Sequence, residues 1–382
     1  MTDVDITSEA ARRQFKEPIS RFTYITYVIT SYALHFIFKG LNYALSLRDK
    51  LITPENAPDL IKTYACRPKL PIRIFYPKLL NSKVQKKLPA VLSIHGGAFV
   101  IGDPRDDDGF NYSFCNMHSV LVIALNYSKA PLVRFPTPTY DLEALILAVL
   151  SDSSLPIDHD RVALMGSSAG GNLALSVSIL PSMNGSGDGV RRIKTVIPMY
   201  PVVDKSLRRD YKARMRRYKP SLGGTRAKAK SIFLGITPAL DAAYTLPTQD
   251  LRDPLLSPIY ALKDSLPPNI FFLGIELDRL AGETWRMVCD LTGRDAGNEA
   301  VGQEAVGAGG KLILDDERFS FVKKTQDENY RWLLVPDQVH AYDHYARLRM
   351  LNGDKEMWDD AEMKTREVQK EIGKWLFDGP FA

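Results

Sequence analysis

The chain has 382 residues, a formal net charge of +5 at pH 7, 45% hydrophobic residues and 25% charged ones. That is enough apolar material for one large α/β domain with an added lid, and the mildly basic balance singles out no nucleic-acid partner. Cys66, Cys115 and Cys289 are too few and too scattered for a disulfide framework or a zinc site, and the polar opening MTDVDITSEAARRQFKEP is no secretory signal, so a reducing, cytoplasmic setting is expected.

Residues 1–70 read as a largely helical N-terminal cap segment that ends near the turn formers Pro54 to Pro58. Within it, Phe22 to Phe38 is a run of 17 residues without a formal charge. A membrane span needs about 20 strongly apolar residues, and this run carries Thr, Ser, Tyr and His35. The expected structure is an amphipathic helix packed over a pocket. Membrane contact through 22–38, as an interfacial anchor or a span, is the alternative.

From Pro71 the pattern changes. PIRIFYP alternates as a strand does, LPAVLSIHGG (88–97) is an apolar strand ending in a glycine turn, and VLVIALNY (120–127) is a second buried strand. TYDLEALILAVL (139–150) carries a helical apolar stripe. RVALMGSSAGGNLALSVSIL (161–180) runs from a short strand through a Gly/Ser turn into a helix, and TVIPMYP (195–201) is again a strand. Strands alternating with helices predict a mostly parallel central sheet with helices on both faces.

Residues 204–250 break that rhythm and predict a cap insertion. Their basic run, Lys205 to Lys219, reads as a solvated lid helix, with attraction of an anionic substrate or a membrane surface as the alternative. NIFFLGIELD (269–278) returns to strand and ETWRMVCDLTG (283–293) to helix. Residues 291–330 are expected to be a flexible insertion, YRWLLVP (330–336) the last clear strand, and 354–377 a closing amphipathic helix. The α/β domain thus covers 71–382.

The chemistry concentrates at Gly166-Ser167-Ser168-Ala169-Gly170. A serine on a tight strand-to-helix turn is held in a strained backbone conformation, and the helix N-terminus beneath it favours developing negative charge. A serine nucleophile needs a base and the base an orienting acid, in the chain order Ser, acid, His. His340, just past the last strand, is the expected base, with His344 as a surface or supporting residue. Asp278, just past IFFLGIEL, is the expected acid; Glu276 is its rival and Asp253 reads as a turn former. The glycine turn His95-Gly96-Gly97-Ala98-Phe99 can present backbone N–H groups to an oxyanion. Donors from Gly96, Gly97 or Ala98 would join that of Ala169, with His95 orienting the loop. Aromatic residues in 22–38 and 110–114 are expected either to line an acyl pocket or to pack beneath a cap, and Cys115 to be a buried thiol.

HGGAF (95–99), GSSAGGNLA (166–174), DPLLSP (253–258), E-x-D-x-L (276–280) and the late Val339-His340 occur in one order that resembles the hormone-sensitive-lipase-like esterases of the α/β-hydrolase fold. The resemblance implies a helical cap made partly from the N-terminus, and hydrolysis of a small-molecule ester without metal or cofactor. It implies Ser168, Asp278 and His340 as triad and the 96–98 loop with Ala169 as oxyanion hole. Lactone or thioester hydrolysis, acyl transfer in secondary metabolism, and a non-catalytic ligand receptor on the same scaffold are the alternatives. Ala98 and Ser167 stand where the family often has glycine and aspartate.

Overall fold

A computed structural model describes residues 11–78, 87–228, 233–297, 301–302, 311–344 and 354–382. Its strands are β1 (Leu60–Lys62), β2 (Ile72–Phe75), β3 (Leu88–Ile94), β4 (Leu121–Leu125), β5 (Ile157–Ser167), β6 (Thr195–Met199), β7 (Asn269–Ile275), β8 (Ser320–Lys324) and β9 (Asn329–Val335). They form one sheet in the order β1-β2-β4-β3-β5-β6-β7-β9-β8. The run from β4 to β9 is parallel, and antiparallel strands finish both edges.

The helices are α1 (Arg21–Leu51), α2 (Asp108–His118), α3 (Thr137–Leu150), α4 (Ala169–Ser178), α5 (Pro181–Asn184), α6 (Arg209–Met215), α7 (Phe233–Tyr244), α8 (Ala281–Thr292) and α9 (Lys355–Phe377). β3, β4 and β9 are buried along their whole length, so they read as largely apolar runs. Their alternate residues feed two cores. Leu92, Ile94 and Phe272 join α3, α4 and α8 on one face, while Val91, Phe271 and Leu273 join α2 and α9 on the other. On α9 the buried residues Met357, Ala361, Val368, Ile372 and Trp375 recur at helical spacing, as its amphipathic sequence requires. Phe114 is buried in that second core, with Phe110 and Tyr112 packed against it, so the 110–114 aromatics support the sheet rather than line a pocket.

The short edge strands carry little sequence signal. Leu60–Lys62 lies inside the segment read as largely helical, and Ser320–Lys324 inside the 291–330 insertion. Both acquire strand geometry from a longer partner, β2 and β9 respectively. Residues 298–300 and 303–310 of that insertion lie outside the described residues.

The α1 helix runs for 31 residues, from the Ser20 N-cap to Leu51. Its inner face packs on α7, and His35 Nδ1 lies 3.0 Å from the Val100 carbonyl. Among the described residues no helix is long and apolar enough to cross a membrane. The chain before α1 is tied to the insertion: Arg13 N donates to the Ser206 carbonyl at 3.0 Å, and Lys16 Nζ to the Asp241 and Thr245 carbonyls at 2.6 and 2.7 Å.

The basic run is only partly the solvated helix its composition suggests: the Arg208 and Arg214 side chains are exposed, but its lysines turn inward. Lys212 pairs with buried Glu283, and Lys205 with Asp241 at 2.6 Å. Lys219 Nζ meets Glu276 at 2.8 Å and Asp337 at 2.6 Å. Asp204 accepts from Arg286 at 2.7 Å and from Ser206 Oγ at 2.6 Å. These lysines cross the top of the sheet, where acids desolvated by the fold need counter-charges.

Burial pushes the Asp204 carboxyl up, but Arg286 and Lys212 outweigh it and hold the group below its ordinary value. Its stabilising contribution is therefore present above the unfolded carboxyl value and is lost as pH falls through the lower folded one. Arg286→Met leaves this carboxylate short of its nearest cation and is expected to lower unfolding free energy at neutral pH by about 3–5 kcal/mol. Urea unfolding checks this, and the difference from wild type should shrink in acid, where Asp204 is protonated in both proteins.

Candidate active site

Six crossover-connected strands end on the same edge of the sheet, and five of those ends build the site, as expected for ligand sites in open α/β sheets. β3 leads into His95–Phe99, β5 into Ser168, β6 into Tyr200, β7 into Asp278 and β9 into His340.

Ser168 is the turning point between β5 and α4, with φ +53° and ψ −113°. An L-residue rarely adopts this conformation, and here the flanking structure enforces it. The Ser168 N–H donates to the Met199 carbonyl at 2.9 Å. Gly170 packs so closely on β3 that a Cβ there would lie 2.0 Å from the Ile94 carbonyl oxygen. Ala169 opens α4, so its N–H has no carbonyl four residues back within the helix.

His340 Nε2 lies 3.0 Å from Ser168 Oγ, and His340 Nδ1 lies 2.6 Å from Asp278 Oδ2. The carboxylate can only accept, so Nδ1 carries the proton and Nε2 faces the serine with a lone pair. Asp278 is buried, which raises its carboxyl, but His340, Arg279 and the Leu280 N–H outweigh burial and hold it below its ordinary value. The Tyr200 ring meets His340 edge-to-face with centroids 5.1 Å apart, and its hydroxyl donates to Asp343 at 2.5 Å.

The 95–99 loop sits beside the serine. A Cβ on Gly96 would lie 3.5 Å from Ser168 Cβ. Gly97 has φ +117°, and a Cβ there would come within 2.0 Å of the Ile101 carbonyl oxygen, so only glycine fits. Ala98 and Phe99 follow at φ +51° and +66°. The Gly97 and Ala98 N–H groups make no hydrogen bond among the described residues. His95 is buried, and its Nδ1 lies 2.7 Å from the Gly96 carbonyl, to which it must donate. Burial, reinforced by Lys129, holds its pKa well below the ordinary histidine value, so the ring is neutral. Tyr127 stacks on His95 at 4.4 Å and donates to the His95 carbonyl at 3.1 Å. Phe99 stacks on Tyr244 of α7 at 4.0 Å, which joins the loop to the cap.

The remaining sequence candidates sit outside this hydrogen-bonded line. His344 faces Asp107 at 3.6 Å. Glu276 accepts from Lys219 and from the Asp337 N–H, each at 2.8 Å. Asp253 accepts from the Leu255 N–H at 2.9 Å, as a turn former does. Burial pushes the Cys115 thiol up to about 12, far from a reactive thiolate. Ser167 Oγ is buried and finds no partner among the described residues.

Four supporting residues were not apparent from the sequence. Asn172 Nδ2 donates to the Val202 and Leu256 carbonyls at 2.6 and 3.0 Å, anchoring DPLLSP against α4. Lys219 bridges Glu276 and Asp337, which lie two residues before Asp278 and three before His340. Tyr127 and Tyr200 brace His95 and His340. Only the asparagine had a signal, its place one residue beyond the G-S-S-A-G-G run.

The sequence profile of the alpha/beta hydrolase fold family matches residues 91–309. Arylesterase from Saccharolobus solfataricus is 32% identical over 216 residues, 55% of this chain and 63% of that protein. Ethyl acetate hydrolase from Pseudomonas putida is 32% identical over 157 residues, 41% of this chain and 48% of that protein. The chain thus spans about half to two thirds of the length of these curated relatives. Among solved structures, an ester hydrolase from the Lake Arreo metagenome superposes with a TM-score of 0.60 at 21% identity, covering 90% of this chain and 92% of that one. The hyperthermophilic esterase of Pyrobaculum calidifontis gives 0.59 at 18% identity, covering 96% and 100%. At these identities the superpositions speak for the fold, and the profile match over more than half the chain decides the rest: the protein belongs to the alpha/beta hydrolase fold family, in the hormone-sensitive-lipase-like group that its motifs resemble.

Proposed function

We propose that this chain is a serine esterase that cleaves small carboxylic esters through a Ser168–His340–Asp278 triad and an acyl-enzyme. The observation that carries the proposal is the single imidazole spanning Ser168 Oγ at 3.0 Å and Asp278 Oδ2 at 2.6 Å. The arylesterase and ethyl acetate hydrolase names of its relatives support the ester as substrate class.

In this mechanism Ser168 Oγ attacks the ester carbonyl carbon while its proton passes to His340 Nε2. The carbonyl π electrons move onto oxygen, and N–H groups from the 96–98 loop and Ala169 hold the oxyanion. Each such donor typically lowers the barrier by about 3–4 kcal/mol. The tetrahedral intermediate collapses, the alcohol leaves with the proton from His340, and the acyl group stays on Ser168. Water, deprotonated by His340, then attacks the acyl carbon; the bond to Ser168 Oγ breaks as His340 returns the proton to it, and the acid is released. Asp278 keeps the imidazole in the Nδ1–H tautomer and stabilises the imidazolium. Ala98 keeps the loop's N–H while adding a methyl that narrows the alcohol side of the pocket.

Ser168→Ala should cut hydrolysis of short p-nitrophenyl esters by about 10⁴-fold or more while leaving the circular dichroism spectrum unchanged. A fluorophosphonate probe should label wild-type Ser168, as read by intact mass. Retained turnover in the variant, or absence of labelling in the wild type, would sink the assignment and favour the ligand-receptor alternative.

Asp278→Asn keeps the shape but lets the amide donate, which turns the imidazole to the wrong tautomer. The expected loss is in kcat, on the order of 10⁴-fold, with KM little changed. A full ester titration of the variant separates the two parameters.

A further inference from the structure

The outward face of α1 has no part in the chemistry above, and it is apolar along its entire length. Phe22, Ile25, Ile29, Phe36, Tyr43 and Leu47 recur at intervals of three, four or seven, so they share one side of the helix. All are exposed, from 80% at Phe22 to 43% at Leu47, and Leu51 at the helix end reaches 86%. At about 1.5 Å per residue, the 31 residues make a ridge about 46 Å long. Isolated apolar residues on a surface need no explanation, but a continuous ridge of this size does.

The charges on this face have one sign. Arg21, Lys39 and Lys50 are exposed and, at 100° per residue, fall along one border of the apolar stripe. The helix's sole acid, Asp49, points inward and is bound to Arg105 at 2.6 Å. A second copy of the chain fits this pattern poorly. Antiparallel pairing of two such ridges about Phe36 would set Arg21 of one beside Lys50 of the other, with no exposed acid on the helix to separate them. Anionic headgroups above an acyl layer complement both the stripe and its basic border.

From this geometry we infer that α1 lies in the plane of an anionic phospholipid surface, with its apolar ridge at the boundary between headgroups and acyl chains. The helix lies on the bilayer and does not cross it. Its inner face stays on α7 and on the loop beside Ser168, through His35 and the Val100 carbonyl. Docking therefore brings the cap edge to the lipid while the sheet remains in water.

Co-sedimentation of the full-length protein with vesicles tests this inference independently of catalysis. Binding is expected to mixed phosphatidylcholine–phosphatidylserine vesicles, and it should weaken as salt rises. Replacing Lys39 and Lys50 by Gln should weaken it by roughly fivefold per lysine, and pure phosphatidylcholine should bind less tightly than the mixture. Ile29→Gln with Phe36→Gln should weaken binding to both vesicle types by about tenfold or more, at an unchanged thermal unfolding midpoint. No binding of the wild type to mixed vesicles, or binding indifferent to Ile29 and Phe36, overturns the inference. A wild-type dimer in light scattering that the same two substitutions dissolve, without any vesicle binding, assigns the ridge to a second copy and overturns it equally.

Discussion

The start of α4 packs directly on the end of β3, and the closeness of that approach shapes everything around it. Gly170 lies against the Ile94 carbonyl at a distance no side chain would allow. The chain must therefore leave β5 and enter α4 within a single residue, and Ser168 takes the strained positive-φ conformation that this demands. The same contact sets Gly96 beside Ser168, so the serine and the loop facing it are positioned together. Strain at one residue is tolerated because buried strands on either side of β5 over-determine its path.

A second layer of constraint is electrostatic. Four further carboxylates gather at the same end of the sheet: Asp204, Glu276, Asp337 and, in the first turn of α8, Glu283 are all largely withdrawn from water. The insertion supplies cations to them, with Lys212 on Glu283 and Lys219 between Glu276 and Asp337. Leaving any one unpaired would cost several kcal/mol, so the insertion is held to the sheet by need as much as by apolar packing. Because Lys219 touches the loops that lead to Asp278 and to His340, it also fixes their separation. Asp278 and His340 lie 62 residues apart in sequence and meet at 2.6 Å.

The cap is joined to the site by stacking and by single hydrogen bonds. Phe99 lies flat on Tyr244, Lys205 sits 5.2 Å above the Phe99 ring, and His35 reaches the Val100 carbonyl. The residues that follow the glycine turn are thus held from above, while His95 and Tyr127 hold it from below. Such bracing from both sides holds the N–H groups of this loop in fixed directions.

Much of this was legible in the sequence, because the relevant signals are local. Continuous apolar runs mark strands buried on both faces, and LPAVLSI, NIFFLGI and YRWLLV all proved to be central strands. The turn at Ser168 is marked by the small residues around it, and Asp278 and His340 stand just past apolar strand runs. What the sequence could not show depends on partners distant in the chain. Leu60–Lys62 and Ser320–Lys324 become strands only because a longer strand offers them hydrogen bonds. The lysines of 205–219 read as solvated because nothing nearby in sequence reveals the acids buried beneath them. The sequence by itself determined the candidate groups and the small residues around Ser168, since residue type and spacing are local properties. Only the tertiary structure decided which of them meet, because distance between side chains is set by packing and by the neutralisation of buried charge.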